Sequence, residues 1–143
     1  MNRIDKFAYI NLDKRKDRNE HILKELSRFE IPDSKISRIS AVESVKGAYG
    51  CSLSHVKLME DFLESKDEIW CVLEDDHYFT HTLEETNKLI NEFLDNPQYD
   101  VFLGCYCAVK GRDLPGTSFR RVSQSSMTSF FYFTQKSRRS FIG

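Results

Sequence analysis

Three successive carboxylates, Glu74, Asp75 and Asp76, follow directly on the unbroken apolar run Ile69 to Leu73. Such a run reads as a strand covered on both faces, so the triplet falls at a strand's carboxyl end. Crowded there in low dielectric, the three charges repel one another and at least one has to take up a proton. A divalent cation removes that conflict. Hard ions such as Mn²⁺ or Mg²⁺ take oxygen ligands and keep positions open for waters and for the oxygens of a diphosphate. In an extended loop Glu74 and Asp76 point to one side and Asp75 to the other, which makes the outer two the pair to share an ion. A solvated loop at a helix entrance explains a bare acidic cluster equally well.

Strands and helices alternate around this feature. Phe7 to Leu12 is a short run of β-formers, followed by Ile22, Leu23, Leu26 and Phe29 at helical spacing. A weaker extended run spans Lys35 to Val42 and gives way to loop formers at Ser44 and Gly47. From Ser52 a second helical stripe is formed by Leu53, Val56, Met59, Phe62 and Leu63, with Gly47 and Gly50 in a flexible lead-in. Thr82 and Glu85 match a capping box, and Leu83, Leu89, Ile90, Phe93 and Leu94 supply the stripe of the helix it opens. Asn96 and Pro97 stop that helix, Val101 to Gly104 is a strand, residues 108 to 118 are a loop, and Phe130 to Thr134 is the last strand. The alternation predicts an α/β domain with a mostly parallel sheet and helices on both faces. Sheets of that kind bind ligands at the carboxyl ends of their strands, where the triplet lies.

The 143 residues are 40% hydrophobic and 30% charged, the composition of one globular domain. No apolar stretch reaches the ~20 residues of a membrane helix, and the amino-terminal apolar segment is too short for a secretory signal. A net charge of −1 gives no overall basic excess for a nucleic-acid partner. That balance hides a segregation, from −10 over residues 41–104 to +6 over residues 105–143. A metal and a phosphorylated ligand would use such an arrangement, and ordinary solvated faces also produce it. Cys51, Cys71, Cys105 and Cys107 show none of the usual zinc spacings and read as free thiols in a reducing compartment. The absence of an Asn-x-Ser/Thr acceptor agrees with a cytoplasmic chain.

Four motifs occur in order, the last carrying the acidic triplet: YINLDKRKDR at Tyr9 to Arg18, SRISAVES ending at Ser44, GAYGCSLSHVKLME at Gly47 to Glu60, and WCVLEDDHYF at Trp70 to Phe79. Together they resemble glycosyltransferase family 25, which contains lipopolysaccharide galactosyltransferases and procollagen galactosyltransferases, over roughly residues 6 to 104. The resemblance implies a single GT-A-like (Rossmann-like) domain, a UDP-sugar donor such as UDP-galactose, Mn²⁺ or Mg²⁺, and transfer with inversion at the sugar carbon. It further implies that the INLD segment, Ile10 to Asp13 with Asn11 and Leu12 foremost, lies at the end of the first strand against the nucleotide, with Arg15 and Arg18 near phosphate. Both arginines read equally well as surface groups on the first helix. Ser40, Ala41 and Val42 match the family segment after the second strand, beside the uridine; a plain strand end is the plainer reading. In GCSLSH, Gly50 permits close backbone approach, and Ser52, Ser54 and His55 would bind diphosphate or sugar hydroxyls. Without the resemblance, a histidine in a helix's first turn is more often structural. The EDD triplet matches the family's metal motif, with Asp76 the foremost ligand, Glu74 beside it and Asp75 toward the donor. His77 and His81 depart from the apolar residue expected there; they would add a ligand, or, on the plainer reading, are exposed loop histidines.

Inverting transfer also needs a carboxylate that deprotonates the attacking hydroxyl. After Asp100 the only remaining carboxylate side chain is that of Asp113, so these two are the candidate bases, with the acidic loop itself as the other source. SFFYFTQKSRRSFIG resembles the family's later strand and the start of its next helix, as expected of a C-terminally shortened member. The acceptor implied is a glycan, a lipopolysaccharide or a hydroxylysine-type protein site, reached from the cytoplasm or the periphery of a membrane. A catalytically weak donor-binding module is the nearest alternative. A phospho-acceptor receiver domain is the second, although Asn11, Leu12 and Asp13 stand where its acidic pair belongs.

Overall fold

Two strands with buried residues along nearly their whole length lie side by side at the centre of the sheet, β1 (Lys6–Asn11) and β3 (Ile69–Glu74). In this computed structural model the backbone is described for residues 1–96 and 98–134, and side chains for those residues outside 105–109 and 125–133. Between β1 and β3 the chain forms α1 (Lys16–Arg28), β2 (Ile36–Ser40) and α2 (Gly47–Glu64); after β3 come α3 (Leu83–Leu94), β4 (Val101–Asp113) and β5 (Arg120–Thr134). The sheet order is β2-β1-β3-β5-β4. β2, β1 and β3 pair in parallel, with Asn11 opposite Ser40 and Ile10 opposite Glu74. β5 runs antiparallel to both β3 and β4, so the expected mostly parallel sheet consists of three parallel neighbours and an antiparallel hairpin.

Alternation along the central strands divides the core into two layers, as the period of two requires. Phe7, Tyr9, Cys71 and Leu73 pack with Ile22, Leu26 and Phe29 at α1 and with Ile90 and Phe93 of α3. Ala8, Ile10, Trp70 and Val72 face Leu58 and Phe62 of α2 on the other side, where the Phe62 and Trp70 rings meet edge to face at 5.4 Å. Helices therefore cover both faces. The capping box is present, with Glu85 N–H on Thr82 Oγ1 and the Thr82 N–H on Glu85 Oε2, stabilising the start of α3 by about 1 kcal/mol. No helix among the described residues is long and apolar enough to cross a membrane.

Two expectations are corrected. α2 begins at Gly47 rather than Ser52, and its buried face is Gly50, Ser54, Leu58 and Phe62. Val56, expected inside, is 52% exposed, because two small residues and not the larger ones meet the chain before the helix. A Cβ on Gly50 would lie 2.5 Å from the Val42 carbonyl oxygen, a distance only glycine allows.

The second correction concerns residues 108–118, expected as a loop. β4 continues to Asp113 and β5 starts at Arg120, joined by a short turn in which Gly116 has a positive φ of 75°. Beyond Cys105 opposite Phe130 the two strands have, among the described residues, only each other as sheet neighbours. Residues 110–113 and 120–124 are exposed or partly exposed, so apolar alternation is not required there and the sequence carries no strand signal. Several register shifts interrupt the ladder, and the tip packs near the end of α3. There the Ser118 N–H donates to Glu92 at 2.7 Å, and the Phe119 ring meets Phe102 at 5.3 Å. The expected stop at Pro97 and the helix start after Thr134 lie outside the described residues.

Candidate functional site

Strand order reverses between β1 and β3, the place in an open α/β sheet where the strand ends splay and leave a crevice. Asn11 ends β1 there, and it is only 2% exposed. Its Nδ2 donates to Asp75 Oδ2 at 2.7 Å and to the Arg15 carbonyl at 3.1 Å, while its Oδ1 accepts from Arg38 Nε at 3.0 Å. Arg18 Nη1 lies 3.0 Å from both Asp75 Oδ1 and Asp76 Oδ2. One guanidinium thus neutralises the repulsion expected between two of the three carboxylates.

The triplet does not divide as expected from an extended loop. A turn closes after β3, with the His77 N–H on the Glu74 carbonyl, and Asp75 and Asp76 share Arg18. Glu74 stands apart from that pair, with its Oε1 3.8 Å from His55 Nε2 on α2.

α1 grips this turn along one polar stripe. Arg18 holds the carboxylates, His21 Nε2 meets the His77 carbonyl at 2.9 Å, Glu25 accepts the Phe79 N–H at 3.1 Å, and Arg28 donates to the Phe79 carbonyl at 2.8 Å. Spacings of three, four and three residues place all four on one helix face. His77, expected as an exposed loop histidine, is instead 6% exposed and packs edge to face on Phe79 at 4.6 Å. His81 is exposed as expected.

Burial drives the His77 imidazole down to about 4 from its ordinary 6.5. The folded chain therefore resists a proton that the unfolded chain accepts, and stability falls as pH drops from 6.5 toward 4. Linkage puts the loss at about 2 kcal/mol between pH ~7.5 and pH ~5. Chemical denaturation at the two pH values should show it, and His77→Leu should remove most of that slope.

Around the β2 end, Arg38 Nη2 donates to Asp13 Oδ1 at 2.5 Å and Ser40 Oγ to the same oxygen at 2.9 Å. The Arg38 bond first, then that of Ser40, holds the Asp13 carboxyl below its usual range. The Ala41 N–H continues the β1 ladder onto Asn11 O, and Leu12 O accepts the Arg15 N–H. Ser54 Oγ accepts the Val42 N–H at 2.8 Å and donates to Gly50 O on its own helix at 2.7 Å, so it ties Val42 to α2. Ser52 Oγ bonds Ala48 O on its own helix at 3.0 Å. Arg15 forms a bidentate pair with Asp17, at 2.9 and 2.6 Å.

The strand tips bring together Asn11, Arg18, Ser40, Glu74, Asp75 and Asp76, with Leu12, Arg15, Ala41 and Val42 in the adjoining loops and His55 beside Glu74. They do not gather the candidate bases. Asp100 precedes the first residue of β4, level with the amino end of β3, about 15 Å along the sheet from Glu74 by strand rise. Asp113, 3.5 Å from Arg120 and 91% exposed, lines with Asp100 a separate cleft of about 900 Å³ beside Tyr99, Phe102 and Phe119.

Arg38 and Cys51 were not singled out as site residues by the sequence. Arg38 gains its meaning from strand pairing, two residues before Ser40 on the same face of β2. Cys51 stands one helical turn before His55, a Cys-x₃-His spacing that a search for paired cysteines passes over.

No curated protein matches the chain. A family model described as Glycosyltransferase family 25 (LPS biosynthesis protein) matches residues 38–110, a span that includes β2, α2, β3 and the acidic turn. With half of its length in that match and the acidic turn at the switch point of an α/β sheet, the chain belongs to glycosyltransferase family 25.

Proposed function

We propose that the chain binds a UDP-sugar through a divalent ion at the acidic turn and transfers a hexose, galactose or glucose, with inversion. The acceptor is a glycan, a lipopolysaccharide or a hydroxylysine-type site. The observation that carries this reading is the network Asn11–Asp75–Arg18–Asp76 at the β1/β3 switch point, a rigid acidic turn with its own cation at the place where such sheets take nucleotides.

The donor set fits Mn²⁺ or Mg²⁺. Asp76 and Glu74 are hard oxygen donors with side chains 48% and 36% exposed, while Asp75 is 10% exposed and already bonded through both oxygens. Asp76 would therefore hold the ion directly, Glu74, turned toward His55, would reach its water shell, and Asp75 would hold the turn. When bound, the ion neutralises the diphosphate as it leaves. Arg18 and Arg15 bring further positive charge to the same end of the sheet, and Arg38 with Asp13 and Ser40 shapes the β1/β2 side for the nucleoside. Gly50 and Ser54 hold the chain at Val42 and Ser44 at its border. A cytoplasmic site of action, at the periphery of a membrane carrying the acceptor, agrees with the family's link to lipopolysaccharide.

A second reading has its own observation. Asp100 and Asp113 stand away from the acidic turn, so a donor-binding module with weak transfer fits the described residues as well. Thermal unfolding with UDP-galactose or UDP-glucose, each with Mn²⁺ or with EDTA, tests donor binding. A ligand at 100 times its Kd adds about 2.7 kcal/mol to the folded state. A rise in Tm that needs the metal supports donor binding; no rise with either sugar nucleotide contradicts it. Product analysis of the same mixtures separates transfer or slow hydrolysis from binding alone.

A further inference from the structure

Beside the acidic turn lies a second set of possible ligands of different chemistry. Cys51 and His55 stand one turn apart on α2, and Glu74 ends β3 opposite them; one ligand atom from each lies within 4.8 Å of the others. All three rest on regular elements, so their backbones are fixed before any ion arrives. Cys51 is exposed and the other two are partly exposed, which leaves a path for an ion. Tetrahedral zinc, with bonds of about 2.0–2.3 Å, holds its ligand atoms roughly 3.3–3.8 Å apart. Closing the set onto one ion needs shifts of only about 1 Å at side-chain ends.

We propose that Cys51, His55 and Glu74 form a zinc site with three protein ligands and a fourth position open to water. A thiolate and an imidazole select a softer ion than the oxygen-rich acidic turn does. Glu74 is common to both sets, so zinc here withdraws it from the acidic turn. Cys71 is buried in the core layer of α1 and α3, on the opposite face of the sheet from α2, and is not a ligand.

The test uses the whole reduced, metal-free chain and metal alone, without nucleotide, so its outcome does not depend on donor binding. Titration with Co²⁺ should give one equivalent of tetrahedral visible bands with a thiolate-to-cobalt charge-transfer band, all displaced by one equivalent of Zn²⁺. Cys51→Ser should abolish the charge-transfer band. His55→Ala and Glu74→Gln should keep that band while weakening zinc affinity beyond the roughly 10–100-fold typical of outer-shell changes. A Cys105→Ser/Cys107→Ser double variant should behave like the wild type. Far-ultraviolet circular dichroism checks that each variant is folded. No charge-transfer band in the wild type, its survival in folded Cys51→Ser, or its loss in the folded double variant would overturn the proposal.

Discussion

Asn11→Leu should cost about 3 kcal/mol of folding stability and weaken metal-supported UDP binding by more than about 100-fold. The side chains are similar in size, so the effect is one of polarity. Leucine removes a 2.7 Å bond to a buried carboxylate, a bond to the Arg15 carbonyl and the acceptor for Arg38 Nε. Hydrogen bonds to charged groups contribute about 1.5–3 kcal/mol, and partners left unsatisfied in the interior cost a further ~1–3 kcal/mol each. Arg18 still holds Asp75, and Arg38 still reaches Asp13, which keeps the total near the lower end. Urea denaturation and calorimetry would measure the two losses. Asn11→Asp separates charge from packing. It sets a second carboxylate against Asp75 in place of the amide donor while Arg38 Nε keeps its acceptor, so its loss of stability reports the charge conflict alone.

Arg18→Met should change two affinities in opposite directions. The guanidinium is 39% exposed and ion-paired with both Asp75 and Asp76 at 3.0 Å. Without it the turn has one more uncompensated negative charge, and an ion at Asp76 no longer shares an oxygen with a competing cation. At an effective dielectric between that of a protein surface and water, the removed Coulomb term is about 1–2 kcal/mol, so Mn²⁺ alone should bind about tenfold more tightly. UDP in the presence of Mn²⁺ should bind about tenfold more weakly or worse, because a positive group beside the diphosphate is gone. If both affinities fall together, Arg18 acts only by holding the turn in place.

The apolar part of the fold is legible in the sequence because burial leaves a periodic trace. β1 and β3 are short unbroken runs, Ile22, Leu26 and Phe29 mark the face of α1, and Thr82 with Glu85 mark the start of α3. The trace fails where small residues make the contact: Gly50 and Ser54 bury the first turns of α2, and no hydropathy pattern points to them. It fails again in the outer halves of β4 and β5, which among the described residues pair only with each other. At the site, the acidic triplet stands out by composition, yet its arrangement depends on groups far away in the chain. The stripe Arg18, His21, Glu25 and Arg28 has helical spacing as regular as any apolar stripe, and its function becomes visible only when the turn after β3 docks on it. Arg38 likewise depends on the parallel pairing that sets Ser40 beside Asn11. His77 is buried because Phe79 and α1 close over it, whereas a position three residues after a strand ordinarily favours solvent.

Calorimetric titration of UDP into the wild type and into Asp76→Asn, each with Mn²⁺ and with EDTA, tests the acidic turn most directly. The structure predicts binding by the wild type with Mn²⁺, its loss under EDTA, and an affinity lower by more than about 100-fold when Asp76 is neutralised. Equal affinity with and without the metal, or an unchanged affinity in Asp76→Asn, would contradict a metal-held diphosphate at this turn.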